Sequence, residues 1–134
     1  MVSKKLFVVL VAVFITYSQV YAKEISGVTM PDTVMAGQTK LILNGAGIRT
    51  KFFMNMYVGG LYLPQKSNDA LKVIEADEPM AIRLHIVSSM ITSERMETAT
   101  REGFENATNN NSAPIKTQIE RFITVFKDKI QEND

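Results

Sequence analysis

Apolar residues along this chain fall into four rhythms, and each predicts a different kind of element. From Leu6 to Tyr17 they run almost unbroken, with Thr16 the one interruption and Lys4 and Lys5 just ahead. From Thr39 to Leu63 many are β-branched or aromatic, punctuated by Gly45, Gly47, Gly59 and Gly60. From Met80 to Val87 the chain alternates with a period of two, and from Ile115 to Ile130 apolar residues recur at helical spacings. The second and third rhythms are strand patterns, and the fourth is the inner face of an amphipathic helix.

In more detail, Lys23 to Gln38 carries Gly27, Pro31 and Gly37 and suits a short strand followed by a turn. Thr39 to Phe53 reads as a strand, a bulge or turn at Gly45-Ala46-Gly47, and a second strand. Met54 to Leu63 is a further strand that Pro64 ends, with Met56, Val58 and Tyr62 on one face and Tyr57 and Leu61 on the other. Ser67 is placed to cap a short helix reaching about Glu75, with Leu71 and Ile74 turned inward. Beyond the turn at Asp77-Glu78-Pro79, Met80, Ile82, Leu84 and Ile86 form the core side of a strand, with Ala81, Arg83, His85 and Val87 opposite. Thr92 opens a helix over about Ser93 to Asn106, its apolar face thinly lined by Met96, Ala99, Gly103 and Ala107. Pro114 suits the start of a last helix whose inner face is Ile115, Ile119, Phe122, Ile123, Phe126 and Ile130.

The first rhythm is shorter than the ~20 residues a spanning helix wants. With its basic lead and Val20-Tyr21-Ala22 behind it, it has the layout of a secretion signal over residues 1–22. The mature chain would then be one domain, residues 23–134, periplasmic or secreted. Removing Lys4 and Lys5 from the 15 basic side chains leaves 13 against 14 acidic ones, a net charge near −1. That balance points away from nucleic acid. With no cysteine and one histidine, there is no disulfide framework, no thiolate nucleophile and no structural zinc site, and no cofactor is expected.

The candidate chemistry centres on Arg49, a guanidinium among apolar, aromatic and glycine neighbours. It keeps its proton at any physiological pH, so it needs oxygen acceptors wherever it sits. They are either structural partners or a carboxylate, phenolate or carbonyl on a ligand. Tyr57 and Tyr62 carry phenolic hydroxyls that suit the same surroundings or ordinary aromatic packing. His85 has no catalytic partner that the sequence places beside it. Gly45-Ala46-Gly47 lacks the remaining glycine and helix of a dinucleotide loop and reads as turn chemistry.

The run GAGIRTKFFMNMYVGGLYL, the Ser67-Asn68-Asp69-Ala70-Leu71 helix start, Met80 to Leu84, Thr92 to Met96 and Arg101 to Phe104 follow in that order. Together they resemble the bacterial branch of the chalcone isomerase-like proteins, from about Ile25 to Ile130. The resemblance implies an α+β open-faced β-sandwich, a curved antiparallel sheet covered by helices, with ligands in a cleft between the layers. It also implies further strands beyond the last helix, so the expected sheet lacks its last strands at the C-terminal end. The family's cleft arginine falls on Arg49, which faces a ketone in plant isomerases and a carboxylate in fatty-acid binders. A threonine position of the isomerases falls on Tyr57. The plant enzymes' tyrosine and asparagine fall on Arg95 and Glu102, which argues against isomerase chemistry.

The expected protein is therefore a non-catalytic binder of an apolar small molecule with an anionic or carbonyl head group, through Arg49 and Tyr57. The alternatives are an intramolecular lyase or isomerase acting through Arg49, and an envelope assembly protein. An incomplete sheet also suggests a homo-oligomer or a partner chain that completes it.

Overall fold

The computed structural model describes residues 23–134, so the expected signal at residues 1–22 lies outside the described residues. The chain is α+β, as the resemblance implies. Strands β1 (Lys23–Ile25) and β2 (Val28–Met30) form a separate hairpin, and β3 (Thr33–Ala36), β4 (Thr39–Lys51), β5 (Met54–Leu63) and β6 (Ala81–Ile86) form an antiparallel sheet in chain order. Helix α1 (Ala70–Glu75) joins β5 to β6, and α2 (Ser93–Ala107) and α3 (Lys116–Ile123) follow, with short 3-10 turns at Ala113–Ile115 and Thr124–Phe126.

The main core lies between one face of the sheet and the β1–β2 hairpin. Val28 and Met30 come from the hairpin, Leu41, Leu43, Val58 and Tyr62 from β4 and β5. Tyr62, Met30, Leu41 and Val58 are the largest fully buried side chains. Gly60 is what lets the layers meet. A Cβ there would stand 2.7 Å from Met30 Cε and 3.1 Å from both Leu43 Cδ1 and Tyr62 Cε2. Tyr62 is buried without loss of hydrogen bonding, because its hydroxyl donates to the Pro31 carbonyl at 2.9 Å.

Two long strands stay paired through two compensating irregularities. Near the turn, Thr50 opposes Asn55 but Arg49 opposes Tyr57, so Met56 is the extra residue on β5. Farther along, Leu43 opposes Tyr62 but Gly45 opposes Leu61, so Asn44 is the extra residue on β4. Both are used: the Met56 carbonyl accepts from Val87 N at 3.0 Å, and Asn44 Oδ1 accepts from Ser67 N at 2.8 Å. A bulge therefore occurs, but inside one continuous β4 and not as a break at Gly45-Ala46-Gly47.

Three local expectations change. On β6, Ile86 is buried, but Ile82 is 74% exposed and Met80 40%, while Ala81 and Val87 from the opposite side pack on the core. Asp69, not Ser67, caps α1 by accepting from Lys72 N at 3.1 Å, and Leu71 and Ile74 are exposed. The last helix is shorter than its apolar spacing: α3 ends at Ile123 and tightens into the 3-10 turn Thr124–Phe126. The tail then runs back past the start of α2. Ser93 Oγ donates to the Asp128 carbonyl at 2.6 Å and accepts from Ile130 N at 3.0 Å. Finally Ile86 N donates to the Asp134 carbonyl at 3.0 Å, and Asn133 N to the Ile86 carbonyl at 2.8 Å.

Candidate functional site

Residues directly opposite on paired strands share a face of the sheet. Arg49 opposes Tyr57, and Tyr57 opposes Ile86, so the three form a row across β4, β5 and β6. The next row on that face is Gly47, Gly59 and Leu84, and the next is Gly45, Leu61 and Ile82. This face lies opposite the hairpin-covered core. It is a lane with glycines on β4 and apolar side chains on β6, headed by one cation and one phenol. A Cβ on Gly59 would meet Leu84 Cδ2 at 3.4 Å, so Leu84 leans over the glycine.

Arg49 is exposed and Tyr57 half-buried. Among the described residues Arg49 makes neither an ion pair nor a side-chain hydrogen bond, the two ion pairs both belonging to Arg101. No Asp or Glu occurs anywhere from Thr39 to Leu63. Exposure falls along the row, from exposed Arg49 through half-buried Tyr57 to buried Ile86. Two shallow hollows lie elsewhere: one of about 490 Å³ between Lys23, Asp32, Asn44 and Lys66, the other of about 340 Å³ beside Arg101, Glu120 and Phe126.

The second hollow adjoins a cluster that the sequence reading did not single out. Arg101 on α2 donates through Nη1 and Nη2 to the two Glu120 carboxylate oxygens on α3, at 2.6 and 2.9 Å. Its Nε and Nη2 also bond Glu97 Oε1 one turn earlier, at 3.1 and 3.0 Å. The hydrogen bonds to Glu120 and Glu97 raise the Arg101 pKa further, and the bond from Arg101 holds the Glu120 carboxyl below its ordinary value. Beneath the clasp, Phe104 meets Phe122 and Phe122 meets Phe126 edge-on, with centroids 6.0 and 6.2 Å apart. With its donors engaged on two carboxylates, Arg101 joins α2 to α3 and is not free for a ligand. The Glu97–Arg101 spacing of four was legible; the Glu120 partner, from another helix, was not.

The two positions aligned with the plant enzymes' acid–base and polar groups are occupied otherwise. Arg95 donates through Nη1 to the Met90 carbonyl at 2.8 Å, and Glu102 is exposed on α2. Tyr62 lies on the core face, away from Arg49 and Tyr57. Burial pushes its phenol above the usual tyrosine range, the Arg83 guanidinium opposing and the Asp32 carboxylate adding to the rise. His85 opposes Val58 on the same core face and is half-buried. The described residues contain no group of His, Asp and Glu arranged to hold a metal ion.

A family model described as chalcone isomerase-like matches residues 22–134. Comparison with curated proteins finds no match.

Proposed function

The chain belongs to the chalcone isomerase-like family, and from that premise we propose that it is a non-catalytic binder of a fatty-acid-like molecule, exported to the periplasm or secreted. Arg49 takes the carboxylate or carbonyl head group, and Tyr57 adds a phenolic hydroxyl beside it. The apolar tail lies along the Gly47–Gly59 lane against Leu84, Leu61 and Ile82. The observation that carries this reading is the single unpaired guanidinium at the head of an otherwise uncharged row of three strands. A guanidinium offers a carboxylate two parallel N–H donors.

Titration of the purified protein with laurate or oleate, read by calorimetry, tests it. A hydrogen bond to a charged group contributes about 1.5–3 kcal/mol, so Arg49→Ala should weaken binding roughly tenfold to a hundredfold while the melting temperature stays put. Equal affinity in the substituted protein removes Arg49 from the site. Isomerase chemistry is disfavoured because Arg95 is spent on a backbone carbonyl and Glu102 faces solvent. Ring closure of a chalcone, followed by absorbance and abolished by Arg49→Ala, would reverse that preference.

A second reading has its own support. Among the described residues the outer edge of β6 carries backbone groups without partners beside exposed Ile82, ahead of the Ile86 end that the tail holds, which favours self-association as an accompaniment to ligand binding.

A further inference from the structure

The β4–β5 hairpin closes with the pair Lys51 and Met54, leaving Phe52 and Phe53 as a two-residue loop. Their φ angles are 51° and 62°. Positive φ at both loop positions is what a type I′ turn demands, and the sequence that turn prefers is Asn-Gly. An L side chain in this region crowds its Cβ against backbone oxygen, and a phenylalanine has no short polar group with which to offset the crowding. Burial does not offset it either. Phe53 is 104% exposed, Phe52 69% and the neighbouring Met54 44%. Two large rings thus occupy the turn positions least suited to them, and the folded chain gains little packing from Phe52 and none from Phe53.

Charge within the hairpin's own strands is one-sided. Lys51 and Arg49 flank the turn, and the whole stretch from Thr39 to Leu63 has no acidic side chain. The Lys51 ammonium sits 5.3 Å from the centroid of the Phe52 ring, so cation and aromatic face are presented together.

We propose that this turn is a membrane-docking tip: Phe52, Phe53 and Met54 enter the interfacial zone of a bilayer rich in anionic lipid, and Lys51 meets the phosphates around them. Aromatic rings beside a basic residue are the side chains that suit the headgroup level of a bilayer. A lipid surface fits better than a folded partner because the apolar atoms are at the apex of a two-residue turn, a convex point and not a face or groove. Among the described residues no helix is long and apolar enough to cross a membrane, and the attachment proposed through the tip is of the peripheral kind. The proposal does not depend on Arg49 holding a ligand, and its test leaves Arg49 in place.

Co-sedimentation of the purified protein with phosphatidylglycerol–phosphatidylcholine vesicles, against phosphatidylcholine alone, reads the docking directly. The native protein should partition onto the anionic vesicles, and the double substitution Phe52→Asn with Phe53→Gly should lower that partition about tenfold or more. The same double substitution relieves the turn, so its melting temperature should rise. Opposite movements of vesicle binding and stability separate lost docking from lost fold. Lys51→Glu should weaken sedimentation with the anionic vesicles. Undiminished binding in the double variant overturns the proposal, as does failure of the native protein to bind anionic vesicles. Self-association that the same pair of substitutions abolishes, without vesicle binding, would give the tip to a second copy and overturn it too.

Discussion

Tyr62 shows how much one side chain does in a sheet core of this size. It is fully buried, it packs closely against Gly60, where a Cβ would crowd Tyr62 Cε2 at 3.1 Å, and its hydroxyl satisfies the Pro31 carbonyl at the end of β2. Tyr62→Phe keeps the ring and loses the hydrogen bond, so it should cost about 1 kcal/mol at neutral pH. The alkaline limb separates this role from simple packing. The phenol's folded pKa is raised above 10.0, so the stability it contributes is fully present below that value. As pH climbs, the unfolded chain loses its proton first, and this stability falls away until the folded phenol titrates too. Urea unfolding followed by circular dichroism at pH 8 and pH 11 should therefore show the native and Tyr62→Phe curves converging as pH rises. A constant gap would mean that the phenol is not desolvated as the structure describes.

At the scale of elements, the helical pair is fastened by charge at Arg101 and by aromatic edges at Phe104, Phe122 and Phe126. Glu120 has a folded pKa held below the ordinary 4.5, so its contribution is present above that value and is lost as pH falls through the folded one. Hydrogen-exchange protection in α2 and α3 should drop on acidification to about pH 3 in the native protein. In Glu120→Gln it should be lower at neutral pH and less sensitive to acid. Equal acid sensitivity in both would detach the clasp from helix docking.

Element boundaries also mark where sequence pattern stops being informative. Strand β5 has the bounds expected of its β-rich run, which Pro64 ends, but the turn before it was read as strand, since Phe52 and Phe53 carry no turn signal. The end of α3 was not, since apolar spacing continues to Ile130 although the helix stops at Ile123. The Ser93 hydroxyl, far back in the chain, holds Asp128 and Ile130 in a path a helix cannot follow. Likewise alternation along β6 separates two sides but cannot say which one meets the hairpin. Here the hairpin covers the side with the smaller apolar content, because Met30 and Tyr62 fit over Gly60. The Arg49–Tyr57 pairing was hidden for a related reason. Counting back from the turn would set Arg49 against Met56, and one extra residue moves Tyr57 into place.

Considered whole, the described residues form a sheet with one side of β6 largely unfilled. Val87 and the residues opposite Val58, Gly60 and Tyr62 direct their backbone groups toward β5, which leaves those of Ile82 and Leu84 facing outward. The tail occupies only the Ile86 end, through Asn133 and Asp134. A second copy could add its own β6 antiparallel to this edge, and charge limits the register. A dyad at Arg83 sets two guanidinium groups opposite each other, which opposes pairing. A dyad at Ile82 instead sets Met80 against Leu84 and Ala81 against Arg83, and it ends before the position that the tail already holds. It would also cover Ile82, which is 74% exposed in one copy. Light scattering over a range of concentrations should then show a dimer, and Ile82→Lys should return it to a monomer with little change in melting temperature, since that side chain is not in the core. A native protein that stays monomeric throughout, or an Ile82→Lys protein that associates as before, would leave β6 as an ordinary solvated edge. Because Ile82 also borders the lane from Arg49, laurate affinity measured across the same concentrations shows whether pairing and ligand compete for one surface. If they do, affinity falls as the dimer forms, and Arg49→Ala weakens the ligand without moving the dimerisation midpoint.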